Sequence, residues 1–266
     1  MLKGALLFTA NIFEKNVPNG SVIDSRYEIL RFLGRGSYGS SYLVYDSLKQ
    51  QEAVLKFLRM HRRLNKSGRT AFEYEQKLLE EMNQPYFPQF FEKGEYNRKP
   101  FFTMEYVNGK TFEQLIFEEG MTYSETEAFQ IGYELLQMIE WLHHQGIVHR
   151  DIRIPNVMLD QNRLRLIDFG LARRFDRKQL PQVHLDYIKR AISPVSDFYA
   201  LGHFLLFLLY STYEVKGKQR EKSWEEELSL SSQAKGVIRK LLAIDGFYQS
   251  CSEIAQDFLQ IMKASE

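Results

Sequence analysis

The sequence predicts an α+β protein in which a β-rich first lobe precedes a helical second lobe. Short alternating runs rich in β-branched and aromatic residues fill the chain up to Tyr106, and helical spacing dominates after the Asn108-Gly109 turn. A chain of 266 residues is long enough for two lobes. We therefore expect a leader over residues 1–25, a first lobe over residues 26–107 and a second lobe over residues 108–266.

Strands are expected at four places in the first lobe: Tyr27–Leu33, Ser41–Tyr45, Ala53–Leu58 and Phe101–Tyr106. A helix is expected over Ala71–Met82, because its apolar residues recur at helical spacing. Pro85 and Pro88 follow and cannot continue that helix. The polar and basic stretch His61–Arg69 is expected to be a loop.

Helices and two short strands are expected in the second lobe. A short helix is predicted over Thr111–Phe117, and Ser124 with Glu127 resembles a capping box for a helix that ends at His144. Short strands are predicted near Val157–Leu159 and Leu164–Ile167. The longest apolar run, Ala200–Tyr210, is shorter than the roughly 20 residues that span a membrane, so it predicts a buried core helix.

Composition describes an ordinary globular protein, with 44% hydrophobic and 26% charged residues. The formal charge of +1 gives no reason to expect a nucleic-acid partner. A single cysteine, Cys251, excludes an internal disulfide and a cysteine-based zinc site, and it indicates a reducing compartment such as the cytoplasm. Met1–Phe13 lacks the cleavage pattern of a secretory signal.

The first chemical motif is a G-x-G-x-x-G segment between two predicted strands, Gly34-Arg35-Gly36-Ser37-Tyr38-Gly39. Glycine lets the backbone approach phosphate oxygens closely. A dinucleotide-binding motif requires a helix directly after the glycines, whereas here a strand follows. A hairpin whose glycines only serve its turn explains the segment equally well when it is taken alone.

Lys56 closes an apolar β run, and burying a lone charge is costly. Glu75 falls on the inward face of the predicted helix, so we expect an ion pair between the two side chains. Such a pair would hold the Lys56 ammonium over the α- and β-phosphates of a nucleotide. Two unrelated surface charges are the alternative if nothing else matches.

The most specific motif is His149-Arg150-Asp151-Ile152-Arg153-Ile154-Pro155-Asn156, followed twelve residues later by Asp168-Phe169-Gly170. Two aspartates and one asparagine supply a base and two metal-binding oxygens, which is the set that phosphoryl transfer needs. Hard oxygen ligands suit Mg²⁺, which uses few protein ligands. We expect Lys56, Asp151, Asn156 and Asp168 to act on one metal-bound triphosphate.

Over roughly Tyr27 to Leu259, these motifs resemble those of the eukaryotic-like serine/threonine protein kinase family, and the compact chain is similar to its small bacterial members. The resemblance implies a bilobal kinase fold and the use of ATP with Mg²⁺, or with Mn²⁺ in its place. It implies that Asp151 is the catalytic base, that Arg153 steadies the γ-phosphate, and that Asp197 braces the catalytic loop. It implies further that Lys56 and Glu75 position the phosphates and that Asn156 and Asp168 hold the metal. The residues implied to contact the nucleotide are Gly34, Gly36, Gly39, Ser41, Val54, Met104, Glu105, Val107 and Met158, in addition to Lys56.

Three departures from the family pattern bear on function. Ser41 stands where the family has a valine over the adenine, so we expect weakened ATP binding. Arg153 replaces the usual lysine and presents a fork of donors rather than a point charge. No Ala-Pro-Glu occurs between Asp168 and Asp197, and Gln249 stands where the family has the arginine that pairs with that glutamate. Because both partners of that ion pair are absent, neither charge is left buried alone. We therefore expect a smaller surface for binding the substrate than in other members of the family.

Two other functions remain open at this point. A kinase of the same fold that phosphorylates a small molecule is favoured by the short segment without Ala-Pro-Glu. A nucleotide-binding protein without catalysis is disfavoured, because every chemical residue is present. The sequence specifies neither a particular protein substrate nor an oligomeric state.

Overall fold

The computed structural model describes residues 15–36, 38–63, 65–176, 188, 191–213 and 222–264. Met1–Phe13 of the predicted leader and Ser37 of the glycine motif lie outside these residues. The chain divides into two compact units between Asn108 and Gly109. Most strands belong to the first unit and most helices to the second, so the predicted α+β class is confirmed.

The first unit is built on a six-stranded antiparallel sheet with the order β1-β2-β3-β4-β6-β5. All four strands predicted in this unit are present, and β5 and the short β1 were not predicted. The strands are β1 (Val22–Ile23), β2 (Tyr27–Arg35), β3 (Gly39–Asp46), β4 (Gln51–Leu58), β5 (Phe90–Tyr96) and β6 (Lys99–Glu105). The sheet therefore starts at Val22, within the stretch assigned to the leader.

One face of this sheet carries an apolar core. Ile29, Val44, Leu55 and Phe101 are almost fully buried there, and the rings of Phe57 and Phe101 meet edge to face with centroids 5.7 Å apart. Burial on this scale is the main favourable term in forming the unit. It also fixes the register of β4, the strand that carries Lys56, because a one-residue slip would move every buried side chain to the other face.

The prediction of a loop over His61–Arg69 is wrong. A short helix, α1 (Met60–Arg63), occupies its first part, and the long helix α2 (Lys66–Glu81) begins within it. Asn65 caps α2, and its side chain accepts a hydrogen bond from the Ser67 amide at 3.1 Å. The basic residues Lys66 and Arg69 of α2 are exposed, and those of α1 are half-buried, so none of these charges is fully removed from water.

The second unit is mainly helical, and the capping box predicted at Ser124 is formed, together with one at Thr111 that was not predicted. Thr111 caps α3 and Ser124 caps α4, each with a reciprocal capping box. Gly146 then takes a left-handed conformation with φ of 68° just beyond α4. The helices are α3 (Phe112–Phe117), α4 (Glu125–His144), α5 (Pro194–Tyr210), α6 (Trp224–Glu227), α7 (Ser232–Leu241) and α8 (Cys251–Ala264).

The core of the second unit forms where α4 packs against α5 and α8. At Gly132 a side chain would place its Cβ 2.7 Å from Leu205 of α5, so this close approach requires glycine. Most of the apolar run at the end of α5 is buried as predicted, and its most exposed residue is Phe207, at 47%. Among the described residues, no helix is both long and apolar enough to cross a membrane.

Short strands frame the loops of the second unit that carry the chemical motifs. Both predicted strands are confirmed as β9 and β10, and three two-residue strands were not predicted. The strands are β7 (Lys110–Thr111), β8 (Ile147–Val148), β9 (Val157–Asp160), β10 (Arg163–Leu166) and β11 (Arg173–Arg174). Pairing of β9 with β10 brings the segments after Asn156 and before Asp168 together, since Val157 lies opposite Leu166.

Candidate active site

In the first unit, the glycine motif forms the turn between β2 and β3. Gly34 lies opposite Ser41, and the amide of Gly36 donates to the carbonyl of Gly39 at 2.9 Å. A Cβ at Gly39 would lie 2.7 Å from Cγ and Cε of Lys56, so this glycine makes room for the lysine side chain. A Cβ at Gly34 would meet no described atom within 4 Å. Packing within the protein therefore does not explain the glycine at position 34.

The predicted pair between Lys56 and Glu75 is formed inside the first unit. Nζ of Lys56 lies 2.5 Å from Oε1 of Glu75, and the two side chains are only 5% and 1% exposed. Lys56 projects from β4, between Ser41 on β3 and Phe102 on β6, while α2 carries Glu75. Burial removes both charges from water, so their mutual attraction offsets part of the free energy lost by desolvation.

The residues that the resemblance places around adenine in the first unit lie on β3, β4 and the end of β6. Val54 is buried on β4 and lies opposite Met104. The amide of Glu105 donates to the carbonyl of Gln89 at 2.8 Å, so it is already used within the protein. Val107 is buried just beyond β6. An adenine donor from this segment would therefore come from an amide other than that of Glu105.

In the second unit, Asp151 and Asn156 are directly connected. Nδ2 of Asn156 donates to the backbone carbonyl of Asp151 at 2.8 Å and to Oδ2 of its carboxylate at 2.9 Å. Both partners are acceptors, so the orientation of the Asn156 amide is fixed and its side-chain oxygen is turned away from Asp151. This oxygen is the group that can bind a cation.

Arg153 approaches the other oxygen of the same carboxylate, with Nε 3.2 Å from Oδ1 of Asp151. Burial raises the pKa of Asp151, and the positive charge of Arg153 opposes that rise without cancelling it. The nearby charge of Asp168 adds to the rise. A carboxylate with a raised pKa is a stronger base than an ordinary aspartate, which suits a role in accepting a proton.

Asp168 lies in a left-handed backbone conformation, with φ of 63°, that is uncommon for residues other than glycine. Its Oδ1 accepts a hydrogen bond from the amide of Gly170 at 3.3 Å. Phe169 is fully buried, and its ring centroid lies 4.8 Å from that of His149. The buried phenylalanine thus anchors the aspartate next to the Asp151 loop.

Asp197 braces the Asp151 loop, as predicted. Its carboxylate is fully buried and accepts hydrogen bonds from the amides of His149 at 2.9 Å and Arg150 at 2.7 Å. Burial alone would raise the pKa of Asp197, but hydrogen bonding to His143, the neighbouring histidine charges and the Arg150 amide together lower it. The ionised carboxylate therefore holds Arg150 in its left-handed conformation, with φ of 66°.

Sequence reasoning missed the role of His143, which was treated only as a residue at a helix end. Its Nε2 lies 2.8 Å from Oδ2 of Asp197, and its Nδ1 lies 3.8 Å from Sγ of Cys251. A helical wheel could have revealed it, since Leu136 and Ile139 precede it by seven and four residues on the buried face of α4. His144, by contrast, is exposed.

The donor set of the second unit fits a hard divalent cation. Asn156 offers an amide oxygen and Asp168 a carboxylate. The amide of Ile167, one residue before Asp168, donates a hydrogen bond to the backbone carbonyl of Asn156 at 2.9 Å. Within the described parts of the chain, no cluster of three or more histidine, cysteine, aspartate or glutamate side chains is arranged around a common point. Mg²⁺ needs no such cluster, because it keeps several water or phosphate ligands.

Arg150 and the segment after Asp168 are held by backbone carbonyls. Nη1 of Arg150 donates to the carbonyl of Leu171 at 3.2 Å, and Arg173 and Arg174 donate to carbonyls of Ala172 and Gln145 at 2.6 and 3.1 Å. Pairing of β11 with β8 adds to this anchoring. The start of the segment is therefore ordered by contacts within the second unit.

Comparison with known proteins gives one consistent result. A family model described as the protein kinase domain matches residues 27–264. The probable serine/threonine-protein kinase YbdM of Bacillus subtilis is 36% identical over 246 residues, which cover 92% of this chain and 93% of that protein. Serine/threonine-protein kinase PrkC of the same bacterium is 28% identical over 90% of this chain, which spans only 40% of PrkC.

Among solved structures, the kinase domain of PknI from Mycobacterium tuberculosis superposes with a TM-score of 0.70 at 22% identity. The match covers 94% of this chain and all of that domain. At this level of identity the likeness concerns the fold alone.

Proposed function

Because the chain belongs to the protein kinase family, we propose that it transfers the γ-phosphate of ATP to a serine or threonine hydroxyl of a protein, including its own chain. The observation that carries this proposal is the Asp151 carboxylate, which Asn156 and Arg153 hold in a loop braced by Asp197. The names of YbdM and PrkC support the choice of serine and threonine as acceptors.

In the proposed reaction the substrate hydroxyl oxygen bonds to the γ-phosphorus as the bond between that phosphorus and its bridging oxygen breaks. The hydroxyl proton passes to Asp151, and ADP leaves with the bridging oxygen. Asp151 suits this role because its pKa is raised and because Asn156 fixes the direction of its carboxylate. Arg153 steadies the γ-phosphoryl group as its charge is redistributed.

The first unit is proposed to bind the nucleotide. Lys56, fixed by Glu75, contacts the α- and β-phosphates, and the glycine turn covers them with backbone at Gly34, Gly36 and Gly39. The adenine is proposed to lie against Ser41, Val54, Met104, Glu105 and Val107. Since the Glu105 amide is already used, the donor to adenine is proposed to be the amide of Val107.

Asp168 and the side-chain oxygen of Asn156 are proposed to hold Mg²⁺, with Mn²⁺ as a substitute. When bound, the ion neutralises charge on the phosphate oxygens. The cytoplasm is the proposed location, because it supplies ATP and keeps thiols reduced, and Cys251 is a free, buried cysteine.

Transfer of labelled phosphate from ATP to casein, and to the protein itself, tests the proposal. We expect label on serine or threonine of either acceptor, and none when Mg²⁺ is removed with a chelator. Labelled small molecules without labelled protein would point instead to a small-molecule kinase. Nucleotide binding without any transfer would point to a non-catalytic protein.

Ser41→Val is expected to tighten ATP binding. Ser41 lies opposite Lys56 at the predicted roof of the adenine site, and valine would add apolar surface there. At about 0.8 kcal/mol per buried methylene, we expect a roughly 3- to 5-fold lower Kd. Titration with a fluorescent ATP analogue measures the change. Ser40→Ala, on the opposite face of the same strand, is the control, and an unchanged Kd for Ser41→Val would contradict the proposed roof.

The fall of kcat/KM at acidic pH is expected to follow the protonation of the Asp151 carboxylate. Its carboxylate must be ionised to accept a proton, so kcat/KM should fall as pH drops through a pKa above the ordinary aspartate value. Arg153→Leu removes a charge that lowers this pKa, so the fall should move to higher pH. Arg153→Lys keeps the charge and should leave the fall near its original position. An identical fall in all three proteins would show that another group titrates.

A further inference from the structure

Two arginines beyond β4 contact Gly36 and Tyr38, which we call the tip of the glycine turn. The amide of Arg59 donates to the carbonyl of Tyr38 at 3.0 Å, and its Nη1 donates to the carbonyl of Gly36 at 3.1 Å. The guanidinium carbon of Arg62 lies 4.9 Å from the centroid of the Tyr38 ring, within the range of a cation–π interaction. All of these contacts lie within the first unit.

Helix α1 and the start of α2 set the position of Arg62. The amide of Arg62 donates to the carbonyl of Arg59 at 3.0 Å, which places both arginines on one helical turn. A Cβ at Gly68 would lie 2.6 Å from the carbonyl oxygen of Arg62 and 2.8 Å from its Cβ. Helix α2 therefore packs closely against Arg62 only because residue 68 is glycine. Since α2 also carries Glu75, one helix supports both Lys56 and the tip of the glycine turn.

We infer that Arg59 and Arg62 are positioning residues that hold the tip of the glycine turn ready for the nucleotide phosphates. The inference rests on the proposed function and deepens it. Glycine-rich backbone loses much conformational freedom when it is ordered. Contacts that order it beforehand reduce the entropy lost on binding and so raise affinity. Tyr38 contributes an aromatic ring to this arrangement, and its hydroxyl is not required.

A solvated basic patch does not account for these contacts. The side chains of Arg59 and Arg62 are half-buried, and one of them is directed at a backbone carbonyl and the other at a ring. A general basic patch would act through charge alone, so Arg62 and Arg63 would then be interchangeable. Arg63 is thus a matched control, because it lies on the same short helix and carries the same charge.

Amide hydrogen exchange in the absence of nucleotide tests directly whether Arg62 holds the glycine turn. In Arg62→Gln, exchange in a peptide that spans the glycine turn is expected to be about 3- to 10-fold faster, the range expected of a partly desolvated cation–π contact. In Arg63→Gln it should be unchanged. Equal exchange in the two variants, whether faster or unaltered, would overturn the inference. This readout does not depend on catalysis, so it remains decisive even if no phosphate transfer is found.

Nucleotide affinity gives the second readout. We expect Arg62→Gln and Tyr38→Leu each to raise the Kd for ATP about 3- to 10-fold, while Tyr38→Phe and Arg63→Gln keep the original value. The double variant Arg62→Gln with Tyr38→Leu should be no weaker than either single variant, because both remove the same contact. Additive losses would overturn the inference, as would a loss in Tyr38→Phe.

Discussion

Replacing Asp151 with asparagine is expected to lower kcat by about 10²- to 10⁴-fold while leaving the Kd for ATP nearly unchanged. Asparagine has the same shape, and its side-chain oxygen can still accept the hydrogen bond that Nδ2 of Asn156 donates to Asp151. The loop should keep its geometry, because Asp197 holds it through the backbone amides of His149 and Arg150. The variant therefore removes the proton acceptor and little else.

Autophosphorylation and casein phosphorylation, measured beside the parent protein, give the rate. Asp160→Asn is a matched control, since it makes the same change on β9, in the same unit and away from the Asp151 loop. Thermal unfolding of both variants should stay close to that of the parent. If Asp151→Asn retained a substantial part of the parent rate while binding ATP normally, another group would be accepting the proton and the proposed mechanism would be wrong.

Sequence reasoning succeeded where a local pattern has one physical solution. The side chains of Ser124 and Glu127 form the expected reciprocal cap, because a helix start leaves amides that these side chains can satisfy. The Lys56–Glu75 pair was predicted because an apolar strand cannot hold an unpaired ammonium group. The chemical motif also put Asp151 and Asn156 five residues apart in one loop, where the structure joins them by a hydrogen bond that was not predicted.

Prediction from the sequence failed where the structure depends on partners far away in the chain. None of the residues of strand β5 is fully buried, and the strand exists because it pairs with β6 at the edge of the sheet. Helix α1 is four residues long and basic, which a sequence pattern does not distinguish from a loop. The contact of His143 with Asp197 spans 54 residues. Each case requires knowledge of packing that no local window of sequence contains.

The second large effect is expected at the buried ion pair of the first unit. Lys56→Met should abolish measurable phosphate transfer and also destabilise the unit, because the Glu75 carboxylate would be left buried without its cation. Removing one partner of a buried pair typically costs about 3–5 kcal/mol. Glu75→Gln should likewise lower stability, because the buried Lys56 ammonium would lose the carboxylate that pairs with it. Thermal unfolding measures both changes.

The double variant Lys56→Met with Glu75→Gln separates stability from chemistry. With both charges removed, no stranded ion remains, so the unfolding temperature should recover most of the loss seen in either single variant. Phosphate transfer should not recover, because methionine cannot bind the α- and β-phosphates. Lys77→Met with Glu81→Gln, an exposed pair one turn further along α2, is the control and should alter neither property. If the double variant regained activity together with stability, Lys56 would only be holding the fold, and the phosphates would have to be positioned by the glycine turn and the metal alone.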